Sequence, residues 1–405
     1  MSEFAVKDDL LDAQTLRAAS AAIFGGADIV ECVQIAQRVT GTDLDSWHDE
    51  WHRAGETAYS IGVTAEAAGQ TETARLAFLR ACTYFRTSGL VLLEAPVDPR
   101  LVDSVARQRD AFRRAIAHFR TPVEPIEIPF EGITLPGYHF RAAADGARRA
   151  TVILVNGYDG TVEESYFFNA QAALDRGYDV VAFDGPGQGS VLVEQGVHLR
   201  PDWENVIAPV MDWVLEQPTT DPDRVAIIGL SLGGYLAPRA ASGEHRLAAC
   251  IADSGFYDMF DSAVARIPGP LRSRATEDSG ALAGILGSLF ESRLRKPTEG
   301  WAMRRGLYVN GVDSMTRFLT DARRYTLKGV AERITCPTLV CHAEDDDIAA
   351  SAPDLFAALT VERKQLITFT VAEGAGQHCE LGARQLYLAR SFAWLDSILD
   401  PRRLG

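Results

Sequence analysis

The chain has 405 residues, 47% hydrophobic and 23% charged, the balance of an ordinary folded protein with enough apolar mass for a large core. Its 55 acidic residues against 40 basic ones leave a formal charge of −15, which repels phosphate backbones and anionic membranes and argues against a nucleic-acid partner or a membrane role. The opening MSEFAVKDDLLDAQ is acidic where a secretory leader needs a basic end and an apolar run, so a cytoplasmic location is expected.

Up to about Phe119, apolar residues recur at three- and four-residue spacings, as in Thr71-Glu-Thr-Ala-Arg-Leu-Ala-Phe-Leu-Arg-Ala-Cys-Thr-Tyr-Phe85. This period predicts helices, and residues 1–122 are read as an N-terminal helical domain. The stretch Gly69 to Phe85 looks like half of a helical-hairpin repeat, but no second copy follows at a fixed period, which argues against a solenoid. Thr121-Pro-Val-Glu-Pro125 disfavours helix and marks the joint.

Residues 123–405 have a different texture. Strand-like runs occur at Ile126 to Phe130, Leu135 to Phe140, Thr151 to Val155, Tyr178 to Phe183, Arg224 to Ile228, Leu247 to Ala252, Pro337 to Cys341 and Leu366 to Thr370. Helix-compatible segments separate most of them, which predicts an α/β fold with a mostly parallel central sheet buried on both faces. The interval between Ile251 and Pro337 exceeds the short connection expected between adjacent strands, which fits a lid first, with a longer crossover for part of it as the alternative. Residues 257–330 are therefore expected to form a helical cap, including a helix-like stretch from Ser279 to Arg295.

The strongest chemical signal is Arg224-Val-Ala-Ile-Ile-Gly-Leu-Ser-Leu-Gly-Gly-Tyr235, an apolar strand running into Gly229-Leu-Ser-Leu-Gly233 and then a helix-compatible segment. Small flanking residues are required where a serine sits on a sharp strand-to-helix turn that lifts its hydroxyl above the sheet, so Ser231 is the candidate nucleophile. A serine hydroxyl needs a base, and in this kind of unit the order along the chain is Ser, acid, His. Pro337-Thr-Leu-Val-Cys-His-Ala-Glu-Asp-Asp-Asp-Ile348 ends a buried strand in an acidic turn; its spacing selects Asp346, with Asp345 and Asp347 as neighbouring alternatives and Ile348 as an apolar anchor. His378, at the end of the glycine-rich Val371-Ala-Glu-Gly-Ala-Gly-Gln-His378, is the candidate base, and His342, at a strand end, is the competing histidine.

Acyl chemistry also needs preorganised donors for an oxyanion. The backbone N–H of Leu232, directly after the nucleophile, is one candidate; the other is that of Tyr158, in the turn Asn156-Gly-Tyr-Asp-Gly160 after an earlier strand. Glu163-Glu164 lacks a clustered histidine or carboxylate and reads as the N-terminal turn of a helix. Asp184-Gly-Pro-Gly-Gln-Gly189 has neither a Walker lysine nor the dinucleotide spacing and reads as a tight turn near the site. The six cysteines (Cys32, Cys82, Cys250, Cys336, Cys341 and Cys379) form no C-x-x-C pair and are expected to be mostly buried small hydrophobes. No cofactor or metal is implied.

Taken together, Asn156-Gly-Tyr-Asp-Gly-Thr-Val-Glu-Glu-Ser165, Asp184-Gly-Pro-Gly-Gln-Gly189, Gly229-Leu-Ser-Leu-Gly-Gly234 and Gly376-Gln-His-Cys379 resemble the α/β-hydrolase family of 2,6-dihydroxypseudooxynicotine hydrolase and the fungal polyketide-shortening hydrolases. The resemblance covers most of the chain, the helical front included. It implies an α/β-hydrolase fold with a cap, often a homodimer, and hydrolysis of a carbon-carbon bond next to a ketone in a β-dicarbonyl, acyl-aromatic or polyketide-like substrate. An ester hydrolase or acyltransferase using the same triad, and a noncatalytic binding protein on the same fold, are the alternative expectations. For the additional acidic residue used by some family members, Asp253, Asp258 and Asp261 are candidates.

Overall fold

The structure, a computed structural model, describes residues 3–265 and 293–401. Five helices come first: α1 (Asp9–Ser20), α2 (Ile29–Arg38), α3 (Leu44–Ala67), α4 (Thr71–Leu90) and α5 (Pro99–Ile116). Asp8, Asp43 and Asp98 cap α1, α3 and α5, each side chain accepting from N–H groups of the first turn that have no intrahelical partner. Helices α3, α4 and α5 pack in sequence. Trp47 and Trp51 of α3 are fully buried, and Trp51 meets Tyr84 of α4 edge-on with ring centres 5.7 Å apart.

Eight strands follow: β1 (Val123–Phe130), β2 (Ile133–Phe140), β3 (Arg149–Val155), β4 (Asp179–Phe183), β5 (Thr220–Leu230), β6 (Ala249–Asp253), β7 (Thr338–Ala343) and β8 (Lys364–Phe369). They form one sheet in the order β1-β2-β4-β3-β5-β6-β7-β8. The β1–β2 hairpin and the β2–β4 pairing are antiparallel, and every pairing from β4 across to β8 is parallel. All residues of β3, β4 and β6 are buried, which is why these runs are mostly apolar rather than alternating, with Arg149, Asp179 and Asp253 at their ends. All eight strand-like runs of the sequence are strands here. The joint differs in one respect: Val123 and Pro125 already belong to β1, where the edge position lets proline replace a ladder donor without loss.

The helical front docks on the antiparallel edge of the sheet. Phe112 of α5 packs edge-on to Tyr138 of β2 at 4.9 Å and to Tyr166, after β3, at 5.8 Å. Phe112 is fully buried, and removing such a side chain from water contributes about 2 to 3 kcal/mol.

The β6–β7 connection carries the helices Met259–Ala265, Pro297–Asn310 and Met315–Ala322. The expected helix from Ser279 to Arg295 lies outside the described residues as far as residue 292. The helix Pro297–Asn310 leans on the helical front: Thr298 Oγ1 donates to Asp8 Oδ2 at 2.8 Å, and the buried Trp301 donates from Nε1 to Leu90 O at 3.2 Å. The chain steps from β3 outward to β4 and then returns to β5 on the other side of β3, so the strand order reverses between β3 and β5. In open α/β sheets a crevice forms outside the strand carboxyl ends at such a reversal.

Candidate active site

Ser231 stands at that reversal. Its turn follows β5, and the helix Gly233–Ala241 starts two residues later. The backbone has φ 61°, a left-handed conformation that non-glycine residues seldom adopt. Two neighbours show how tightly the turn closes: a Cβ added at Gly229 would lie 1.8 Å from Gly233 O, and one added at Gly234 would lie 1.8 Å from Ser254 O. The Ser231 N–H donates to Asp253 O at 2.5 Å, tying the turn to the end of β6.

Three side chains from distant parts of the sequence meet here. Ser231 Oγ is 2.7 Å from His378 Nε2, and His378 Nδ1 is 2.7 Å from Asp346 Oδ2. Asp346 is buried in the turn after β7, whereas Asp345 and Asp347 are exposed. Its other oxygen accepts from the N–H groups of Ile348 at 3.1 Å and Ala349 at 3.3 Å, and Oδ2 also accepts from Ser254 Oγ at 2.8 Å. Burial by itself would raise the Asp346 pKa, but the His378 ring and these donors lower it, so the group is a carboxylate at neutral pH. Burial disfavours a charged His378, yet the adjacent Cys379 sulfur and the Asp346 carboxylate together raise its pKa well above the usual imidazole value.

Ile348 departs from the sequence reading: its side chain is 40% exposed, so its contribution is the backbone N–H rather than an apolar anchor. His342 lies within β7, two residues after the strand positions paired with β6, and makes no contact with Ser231 among the described hydrogen bonds.

The Asn156–Gly160 turn comes up against the serine from β3. A Cβ at Gly157 would lie 2.7 Å from Ser231 Cβ and 3.0 Å from its Oγ, which explains the need for glycine there. Gln188, in the glycine-rich turn after β4, donates from Nε2 to Asn156 O at 2.6 Å and Gly157 O at 3.3 Å, and Ser165 Oγ donates to Asn156 Oδ1 at 2.6 Å. For neither the Tyr158 nor the Leu232 N–H is a backbone acceptor found among the described residues. Between the helical front and this turn a largely apolar cleft opens, lined by Phe85, Leu93, Val105, Tyr158 and Leu192 with Gln108.

The acidic candidates are all held in ion pairs. Asp253 is fully buried, with Arg384 Nη1 3.2 Å from its Oδ2, and Glu380 stands 3.6 Å from the same guanidinium. Burial, and then the Asp253 charge, push Glu380 well above the ordinary carboxylate range, so this pair of acids keeps a proton. Arg384 also donates to Cys379 O at 2.8 Å, and so anchors the segment that carries His378, where Cys379 and Glu380 have φ of 54° and 49°. Asp258 and Asp261 both pair with Lys328.

Glu163 and Glu164 do stand at the start of a helical segment, and they are buried there. Tyr138 and Gln108 donate to Glu163, Arg17 to Glu164. Sequence reasoning missed Ser254, Gln188, Glu380 and Arg384; only Gln188 was marked, by its place in a glycine-rich turn.

All six cysteines are free and buried. Among the described residues, no group of three or more His, Cys, Asp or Glu could hold a metal, and no helix is long and apolar enough to cross a membrane.

Known proteins are similar to this chain. Hydrolase LUC6 of a Fusarium species is 34% identical over 409 residues, covering 96% of each chain. The 20-hydroxy-prefusarin hydrolase FUS2 of Gibberella moniliformis is 34% identical over 418 residues, covering 98% of each. The crystal structure of the 2,6-dihydroxy-pseudo-oxynicotine hydrolase superposes with a TM-score of 0.75 over 94% of this chain and 95% of that one; at 22% identity this is a likeness of fold. The pattern of the alpha/beta hydrolase family matches residues 152–387, from β3 past Ser231, Asp346 and His378. With that match over more than half its length, and relatives aligned nearly end to end, the chain belongs to the alpha/beta hydrolase family.

Proposed function

We propose that the protein is a serine hydrolase that cleaves a carbon-carbon bond next to a ketone, in a β-dicarbonyl, acyl-aromatic or polyketide-like substrate. The observation that carries the serine chemistry is the unbroken pair of 2.7 Å contacts from Ser231 Oγ through His378 to Asp346. Support for the substrate class comes from the end-to-end similarity to a 20-hydroxy-prefusarin hydrolase and from the motif resemblance described above.

In this scheme Ser231 Oγ attacks the substrate carbonyl as its proton passes to His378 Nε2, and Asp346 stabilises the imidazolium. The tetrahedral oxyanion accepts from the Leu232 and Tyr158 N–H groups. Collapse breaks the carbon-carbon bond; the departing carbanion is delocalised as an enolate onto the neighbouring ketone and takes the proton from His378. Water, deprotonated by His378, then attacks the acyl-Ser231 ester and releases a carboxylic acid.

The test is to incubate the protein with acyl-phenol diketones and with aryl esters, following products by mass spectrometry. Diketone cleavage abolished in Ser231→Ala is expected. A protein fast on esters and inert on every diketone removes the carbon-carbon reading, and failure of a fluorophosphonate to label Ser231 removes the nucleophile.

A further inference from the structure

Asp159 follows the candidate oxyanion donor Tyr158, and three arginines from three separate segments converge on it. Arg17 of α1 donates from Nη1 to Oδ1 at 2.8 Å, Arg305 of the helix Pro297–Asn310 donates to Oδ2, and Arg86 of α4 donates from Nη2 to the Asp159 main-chain oxygen at 3.1 Å. The Asp159 side chain is only 9% exposed. Glu164 takes the remaining Arg17 donors at 2.8 and 2.6 Å and lies 3.5 Å from Arg86 Nε. Burial alone would raise the Asp159 pKa; the guanidiniums outweigh it and hold the group well below the usual carboxylate range.

The same helix grips the preceding residue. The Tyr158 hydroxyl donates to Asn310 Oδ1, and the Arg305 guanidinium lies 5.1 Å from the Tyr158 ring centre. The turn is thus held on its sheet side by Gln188 and Ser165, and on its outer side by Asp159 and Tyr158. Without the Asp159 carboxylate the outer half keeps the Tyr158 contacts and the Arg86 bond to the main-chain oxygen, while Arg17 and Arg305 lose the acceptor that they share. Breaking a buried pair by deleting one partner is strongly unfavourable, so the turn should shift rather than stay in place.

We propose that Asp159 is a positioning residue: its carboxylate sets the Asn156–Gly160 turn so that the Tyr158 N–H meets the developing oxyanion, and it couples that geometry to docking of α1, α4 and the helix Pro297–Asn310. This rests on the serine-hydrolase reading. Catalytic donors tolerate little displacement, since an error of about 1 Å costs on the order of 100-fold in rate. A purely structural ion cluster would instead affect stability and leave kcat unchanged in the folded protein.

The experiment compares Asp159→Ala, Arg305→Gln and Glu164→Gln in the full chain. It measures kcat and KM on an aryl acetate, the rate of fluorophosphonate labelling of Ser231, and Tm. Expected for Asp159→Ala is a kcat lowered about 100-fold with KM within about threefold, labelling slowed in parallel. Arg305→Gln should lower kcat on the order of tenfold. Glu164→Gln, which removes an acid from the same cluster but not from the turn, should lower Tm and keep kcat within about twofold.

A folded Asp159→Ala with kcat near wild type overturns the proposal, as does an equal kcat loss in Glu164→Gln. If Asp159→Ala does not fold, Arg305→Gln decides, and an unchanged kcat there overturns it. Failure of the underlying reading looks different: wild-type protein resists labelling, or Ser231→Ala stays active, and the role of Asp159 falls with it.

Discussion

Ser254 Oγ donates to Asp346 Oδ2 at 2.8 Å, the same oxygen that faces His378 Nδ1 at 2.7 Å. Both residues are buried, so this hydrogen bond stabilises the charged carboxylate where water does not reach it. Ser254→Ala should raise the Asp346 pKa and lower kcat by about tenfold, since a lost bond to a charged group is worth about 1.5 kcal/mol or more. Steady-state kinetics at neutral pH, with KM little changed, would check it; an unchanged kcat would mean that the Ile348 and Ala349 N–H groups suffice.

Ser231→Ala and His378→Ala should each lower turnover by about 10³- to 10⁶-fold, and the double variant should be little worse than either, because the three residues act as a unit. Substrate binding measured by calorimetry should survive in Ser231→Ala. Additive losses in the double variant would count against a shared proton path.

The pH profile follows from the raised His378 pKa. The base works only when neutral, so kcat/KM should climb with pH through an inflection above the ordinary value of 6.5 and be lost on the acid side of it. Asp346→Asn removes the carboxylate that favours the charged ring and should move the inflection down, along with a large loss of kcat. An inflection that stays in place would assign it to another group.

Gly157→Ala should cost both activity and some stability, because the added methyl also meets the Leu230 main-chain oxygen at 2.9 Å. The new methyl would press on Ser231 Cβ and Oγ, 2.7 and 3.0 Å away, displacing the hydroxyl from His378, and a loss of at least about 100-fold in kcat is expected. Gly229→Ala meets backbone 1.8 Å away and should give little soluble protein. Expression yield, Tm and labelling of Ser231 distinguish the two outcomes.

His139 gives the protein an acid limit of its own. Burial pushes its pKa down to about 4, and its Nε2 is without a partner among the described residues. Between the unfolded value of 6.5 and about 4, the unfolded chain binds a proton that the folded one refuses, so stability is full above 6.5 and falls as pH drops. From pH 7 to pH 5 this amounts to about 2 kcal/mol. His139→Phe should flatten that slope in urea denaturation; an unaltered slope would place the acid sensitivity elsewhere.

The order of the strands' chemistry was legible without coordinates. The apolar runs of β3, β4 and β6 announce burial on both faces, and glycine spacing around Ser231 announces a turn too tight for side chains. These are local constraints, carried by neighbouring residues. The same holds for Asp346 and His378, each placed by a strand end and the loop after it.

What only the tertiary structure decided is how distant charges pair. Nothing near Asp159 in the sequence points to Arg17, Arg86 and Arg305, which lie 142, 73 and 146 residues away. Glu163 and Glu164 read as the first turn of a helix, which they are, but only the fold shows that Tyr138, Gln108 and Arg17 close over them. Likewise Asp253, Glu380 and Arg384 become one cluster only when β6 meets the His378 segment. Hydrophobic period and turn chemistry are short-range and show in the sequence; a buried charge finds its counterion across the fold, because leaving it unpaired costs more than almost any local preference.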